Sequence, residues 1–156
     1  MSSEESIECF VCRKHRGEVL EPGGAIYDDG VIRAGHAALG PDGAAAYLGY
    51  LFIEPSRHAA GLADLTDPEA QVLGSVLTRL SRALMVRENA AHVYAFVFGD
   101  EVPHLHVHLI PRYPGAPREY WIVEVTGWPD APRGGADEIT ALCERLRTYL
   151  ATHERP

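Results

Sequence analysis

The chain is poor in the residues that would commit it to a membrane, an oxidising compartment or a nucleic acid. It has three cysteines, two tryptophans and two methionines in 156 residues. So few cysteines, and an odd number of them, exclude a disulfide framework as the source of stability. No apolar run approaches the roughly 18–20 residues that span a bilayer. The opening residues, Met1-Ser2-Ser3-Glu4-Glu5-Ser6, are polar and acidic, unlike a secretory signal. Lysine and arginine number 14 against 22 aspartates and glutamates, giving a formal net charge of −8. That leaves no general basic field for nucleic acid or acidic lipid. A cytoplasmic protein acting on a small molecule is expected, with neither nucleic acid nor membrane as partner.

What is present is an ordinary globular composition, 46% apolar and 23% charged, in a length that suits one domain. Asp28-Asp29-Gly30 is a turn signal between Ala25-Ile26-Tyr27 and Val31-Ile32, which predicts a hairpin. Residues 45–53 carry Tyr47, Tyr50, Phe52 and Ile53 and predict one strand that Pro55 ends. Thr66-Asp67-Pro68-Glu69 is a capping-box start, followed by Leu73, Val76, Leu77, Leu80 and Leu84 at helical spacing. Residues 93–98 and 104–110 predict an antiparallel hairpin of strands. Residues 112–135 read as loop. Ile139, Leu142, Leu146 and Leu150 mark a last helix over 136–152, with Cys143 a buried small apolar residue beside them. The fold class predicted is α+β: an antiparallel sheet with one long and one C-terminal helix.

The most telling stretch is His104-Leu105-His106-Val107-His108. On a strand, alternate side chains share a face, so the three imidazoles would stand in a row roughly 6–7 Å apart while Leu105 and Val107 bury themselves. Such a row can bind a metal, or it can move protons and attack an electrophile. No Asp or Glu lies at short spacing within the strand to complete a catalytic metal set. A second motif, Cys9-x-x-Cys12, suits a metal ligand pair in a reducing compartment, and His15 follows it at compact spacing. His15 also belongs to the basic run Arg13-Lys14-His15-Arg16, where it reads as simply solvated. His36, His92 and His153 read as surface or edge residues.

His104-Leu105-His106-Val107-His108-Leu109-Ile110 resembles the signature of the histidine triad (HIT) nucleotide hydrolases and transferases. Gly49-Tyr50-Leu51-Phe52-Ile53-Glu54-Pro55-Ser56-Arg57-His58 is similar to the family's proline-ended strand with its downstream histidine. The likeness covers about residues 7–114 of a single domain over 1–156, leaving 115–156 as loop and C-terminal helix. It implies a HIT-like antiparallel meander, a homodimer, and attack on the α-phosphorus of a nucleoside phosphate derivative. His106 would be the nucleophile of a covalent phosphohistidine intermediate, and His108 would bind phosphoryl oxygens or the leaving group. Backbone around Gly99, Val102 and Pro103 would hold phosphate, and no metal is required at the reacting centre. It also implies a structural zinc on Cys9, Cys12, His58 and His104, with His15 the rival to His58. Where members carry a Gly-Gln-Ser/Thr stretch, this chain has Gly99-Asp100-Glu101. These carboxylates either meet an amine-bearing leaving group or point to solvent at a hairpin tip. The upstream asparagine and the ribose-binding acid have no match. Those losses keep open an alternative: a zinc-stabilised nucleotide-binding or adaptor module without catalytic activity.

Overall fold

The computed structural model describes residues 9–153. A short helix, α1 (Phe10–His15), precedes a hairpin of β1 (Ala25–Asp28) and β2 (Ile32–His36). Asp29 makes that turn: its Oδ1 accepts the N–H groups of Val31 and Ile32 at 2.9 and 2.8 Å. The strand expected over 45–53 is two strands, β3 (Ala46–Tyr47) and β4 (Leu51–Pro55). Gly49 divides them, with φ at +83°. The Cβ of any other residue there would also stand 2.8 Å from both Pro111 Cγ and Tyr113 Oη.

The long helix α2 (Asp67–Arg87) follows, then β5 (His92–Phe96), β6 (Val107–Arg112), the two-residue β7 (Arg133–Gly134) and the C-terminal helix α3 (Ala136–Thr152). The main sheet has the order β1-β2-β4-β6-β5, every pair antiparallel, and β3 pairs with β7. Strands follow meander order except where α2 carries the chain past the β6 position to the sheet edge. This is the α+β architecture read from the sequence.

Both helices cover one face of the sheet. Leu73, Val76, Leu80 and Leu84 of α2 and Ile139, Leu142, Cys143 and Leu146 of α3 are buried against Ile32, Leu51, Ile53, Val107 and Leu109. Period-two alternation then puts Tyr50 and Phe52 near β4 on the opposite face with His108 of β6. Among the described residues no helix is long and apolar enough to cross a membrane.

Candidate active site and metal centre

The histidine row is broken. The ladder of β6 begins only at Val107, because upstream backbone groups are taken elsewhere. His104 N–H donates to the Val102 carbonyl at 2.8 Å, and Leu105 N–H to Ala59 at 2.7 Å. His104 is therefore outside the ladder and fully buried, while His106 and His108 remain together with ring centroids 4.9 Å apart.

Each of the two has a defined setting. His106 Nδ1 lies 2.7 Å from the His104 carbonyl oxygen. A carbonyl only accepts, so Nδ1 carries the proton and Nε2 holds the free lone pair. His108 stands between Phe52 and Phe96 in the ladder. The Phe52 and Phe98 rings meet it edge-on at 5.0 and 5.1 Å. Its Nδ1 shares a 2.6 Å hydrogen bond with the Tyr50 hydroxyl. Burial, with the neighbouring His106 charge second, lowers its pKa to about 4, so the ring is neutral near pH 7.

A cleft of about 280 Å³ opens over this pair, lined by Phe98, Gly99, Asp100, Glu101, His106 and His108. Of the three residues expected to hold phosphate, Gly99 lines it. Val102 does not: its half-buried side chain packs on Cys9, Val11 and Cys12. Pro103 is exposed and, lacking an N–H, has no backbone donor to offer. Asp100 and Glu101 are exposed residues that line the cleft.

Behind the cleft, Cys9, Cys12, His58 and His104 bring four ligand atoms within 4.8 Å of one another. Tetrahedral zinc with sulfur at about 2.3 Å and nitrogen at about 2.0–2.1 Å requires S···N edges of about 3.5 Å. The edges found are Cys9 Sγ to His104 Nδ1 at 3.5 Å, Cys12 Sγ to His104 Nδ1 at 3.5 Å and Cys12 Sγ to His58 Nδ1 at 3.4 Å. The other nitrogen of His104, Nε2, donates to the Pro55 carbonyl at 2.9 Å. That bond fixes the tautomer with Nδ1 unprotonated and directed at the thiols. Burial lowers the His104 pKa to about 4, which also keeps the ring a neutral ligand. The donor set fits a closed metal site.

His15 is not in the set. Its Nε2 pairs with Glu54 at 2.8 Å, as does Lys14 Nζ at 2.6 Å. Glu54 is buried, which alone would raise its pKa, but His15 and Lys14 outweigh burial and the net shift is downward. His15, which read as a rival ligand or as simply solvated, thus joins Lys14 in partnering a buried carboxylate. His36, expected at the surface or an edge, is buried. Its Nδ1 donates to Ala37 at 2.7 Å and its Nε2 accepts from Gly49 N–H at 3.0 Å. It ties β2 to the turn before β4, and burial lowers its pKa. Tyr50, Phe52 and Phe98, which surround His108, were not singled out from sequence. The signal that could have found them was the shared face of Tyr50 and Phe52 on a strand next to the histidines.

These features define an antiparallel α+β protein with a histidine pair over an open cleft and a Cys₂His₂ cage behind it. A family model for the HIT domain matches residues 24–115, and the chain belongs to the HIT family. The AP-4-A phosphorylase of Mycobacterium tuberculosis is 29% identical over 113 residues, covering 67% of this chain and 51% of that protein. The chain thus spans about half the length of the curated relatives it matches. A zinc-bound histidine triad family protein from Mycobacterium smegmatis shares the fold at a TM-score of 0.71 and 18% identity, over 96% of this chain and 99% of that one. A histidine triad protein from Bradyrhizobium japonicum does so at 0.64 and 26% identity, over 81% and 89%.

Proposed function

We propose that the protein is a nucleotide-processing enzyme in which His106 attacks the α-phosphorus of a nucleoside phosphate derivative. The observation that carries this reading is the His106 Nδ1–H bond to the His104 carbonyl, beside an open cleft. A neutral imidazole with its Nε2 lone pair held free is a competent nucleophile near pH 7. Nε2 forms a bond to phosphorus as the bond to the leaving group breaks. An acceptor then takes the nucleotidyl group and restores the imidazole. Water as acceptor makes the enzyme a hydrolase, and inorganic phosphate makes it a phosphorylase, the activity named for the mycobacterial relatives. His108 supports the charge on the phosphoryl oxygens.

Cys9, Cys12, His58 and His104 hold a structural zinc in this reading. A closed four-ligand set leaves no position for substrate, and the zinc carried by the M. smegmatis protein of the same fold agrees with it. A homodimer, with a second copy lying along β5, completes the proposal. Among the described residues that strand pairs only with β6, which leaves its outer edge open.

The test is to incubate the protein with dinucleoside polyphosphates and nucleotidyl amides and map any adduct by mass. A nucleotidyl group on His106, and at least a 100-fold loss of turnover in His106→Ala, are expected. Added inorganic phosphate should change the released product from a nucleoside monophosphate to a nucleoside diphosphate if phosphate is the acceptor. Binding of nucleotide with neither adduct nor turnover would instead identify a zinc-stabilised binding module.

A further inference from the structure

We infer that Tyr50 is a positioning residue: its hydroxyl donates to His108 Nδ1 and so presents His108 Nε2–H to a phosphoryl oxygen of the substrate. The inference rests on the cleft being a phosphoryl-transfer site, and it adds a residue and a definite proton to that site.

The geometry begins with β4. Phe52 lies directly opposite His108 in the ladder, and Tyr50, two residues before it, shares its face. The Tyr50 hydroxyl reaches His108 Nδ1 at 2.6 Å, a short and well-formed contact. Phe52 and Phe98 flank the imidazole edge-on, so the ring is confined by packing as well as by the hydrogen bond.

A neutral imidazole has one donor nitrogen and one acceptor nitrogen. When Nδ1 accepts from Tyr50, the proton must sit on Nε2. His108 Nε2 is buried without a hydrogen-bond partner among the described residues, although the ring belongs to the cleft wall. A donor held there without an acceptor is poised for an oxygen that arrives with the substrate. The opposite tautomer would direct a lone pair at an anionic phosphoryl group, which is repulsive. Burial raises the Tyr50 pKa, so the phenol keeps the proton it donates.

Two imidazoles 4.9 Å apart are thereby set in opposite tautomers. His106 is protonated on Nδ1 through a backbone carbonyl and offers a lone pair. His108 is protonated on Nε2 through a tyrosine and offers a donor. Of the charged residues around this pair, Asp100 and Glu101 line the cleft, and Lys14 Nζ is paired with Glu54, 5.8 Å from the Phe52 ring centre. Among the described residues the Tyr50 hydroxyl is the partner of His108 Nδ1, so Tyr50 selects its tautomer.

Long-range ¹⁵N NMR of the imidazoles tests this in the full-length, zinc-supplied protein and in Tyr50→Phe. In the native protein His108 is expected in the Nε2–H form. In Tyr50→Phe the Nδ1–H form should appear, kcat should fall about 10-fold or more with KM within about twofold, and His106 should keep its Nδ1–H pattern. A native His108 in the Nδ1–H form, or a tautomer unchanged in Tyr50→Phe, overturns the inference. Absence of turnover in the native protein overturns the phosphoryl-transfer reading instead. The NMR result is independent of turnover and still decides whether Tyr50 sets the His108 proton.

Discussion

His104 works through both its side chain and its backbone. Its ring joins Cys9, Cys12 and His58 in the cage, while its carbonyl holds the proton of His106 Nδ1. In the proposed mechanism, a metal held in the cage would therefore stiffen the residue that orients His106. Cys12→Ser should reduce bound zinc from one per chain to a small fraction and destabilise the fold by about 2 kcal/mol or more, checked by metal analysis and denaturant unfolding. The Cys9-x-x-Cys12 pair and the triad were legible because their chemistry is local in sequence. The burial of His36 was not, since it depends on an N–H donated by Gly49 across a turn. Nor was the displacement of His104 from the row, which follows from Leu105 N–H finding Ala59. Pairings between distant backbone groups leave no trace in residue spacing.

At the level of elements, α2 and α3 form over the residues that helical periodicity marked. Thr66 accepts from Glu69 N–H at 3.4 Å, and Glu69 Oε2 accepts from Thr66 N–H at 2.8 Å, which is the reciprocal capping box read from the sequence. Glu69 has a further task, a two-pronged pair with Arg57 at 2.9 Å for each bond. That pair first, then the Thr66 backbone bond, lower the Glu69 pKa to about 2. The folded state therefore favours the carboxylate, and this contribution is complete above the ordinary glutamate range and lost as pH falls toward about 2. Glu69→Gln should cost about 0.5–1 kcal/mol at neutral pH, with the two proteins converging in thermal stability near pH 2. The strands were less legible than the helices: aromatic and branched residues predicted one strand across 45–53, where Gly49 bends the chain into two. Strand ends depend on partners, and β3 finds its partner in β7, more than eighty residues later.

Across the whole molecule, one face of β5 and α2 is apolar and uncovered among the described residues. Leu77, Met85, Val86, Val93 and Ala95 line a cleft of about 570 Å³ there, with Val86 65% exposed. In the proposed homodimer a second copy covers this face, so Val86→Glu should shift the mass measured by light scattering from dimer to monomer. The same substitution should leave stability within about 0.5 kcal/mol when measured on the monomer.

The family match ends at residue 115, but the hydrophobic layer does not. α3 lies beyond that boundary, packs on β1, β2 and α2, and adds Ile139, Leu142, Leu146 and Leu150 to the buried cluster. A fragment cut at 115 would keep every histidine of the cleft and every ligand of the cage. It would also lose the cover over β1 and β2, so a complete set of cleft and cage residues would be carried by a body that sticks to its neighbours before it can act.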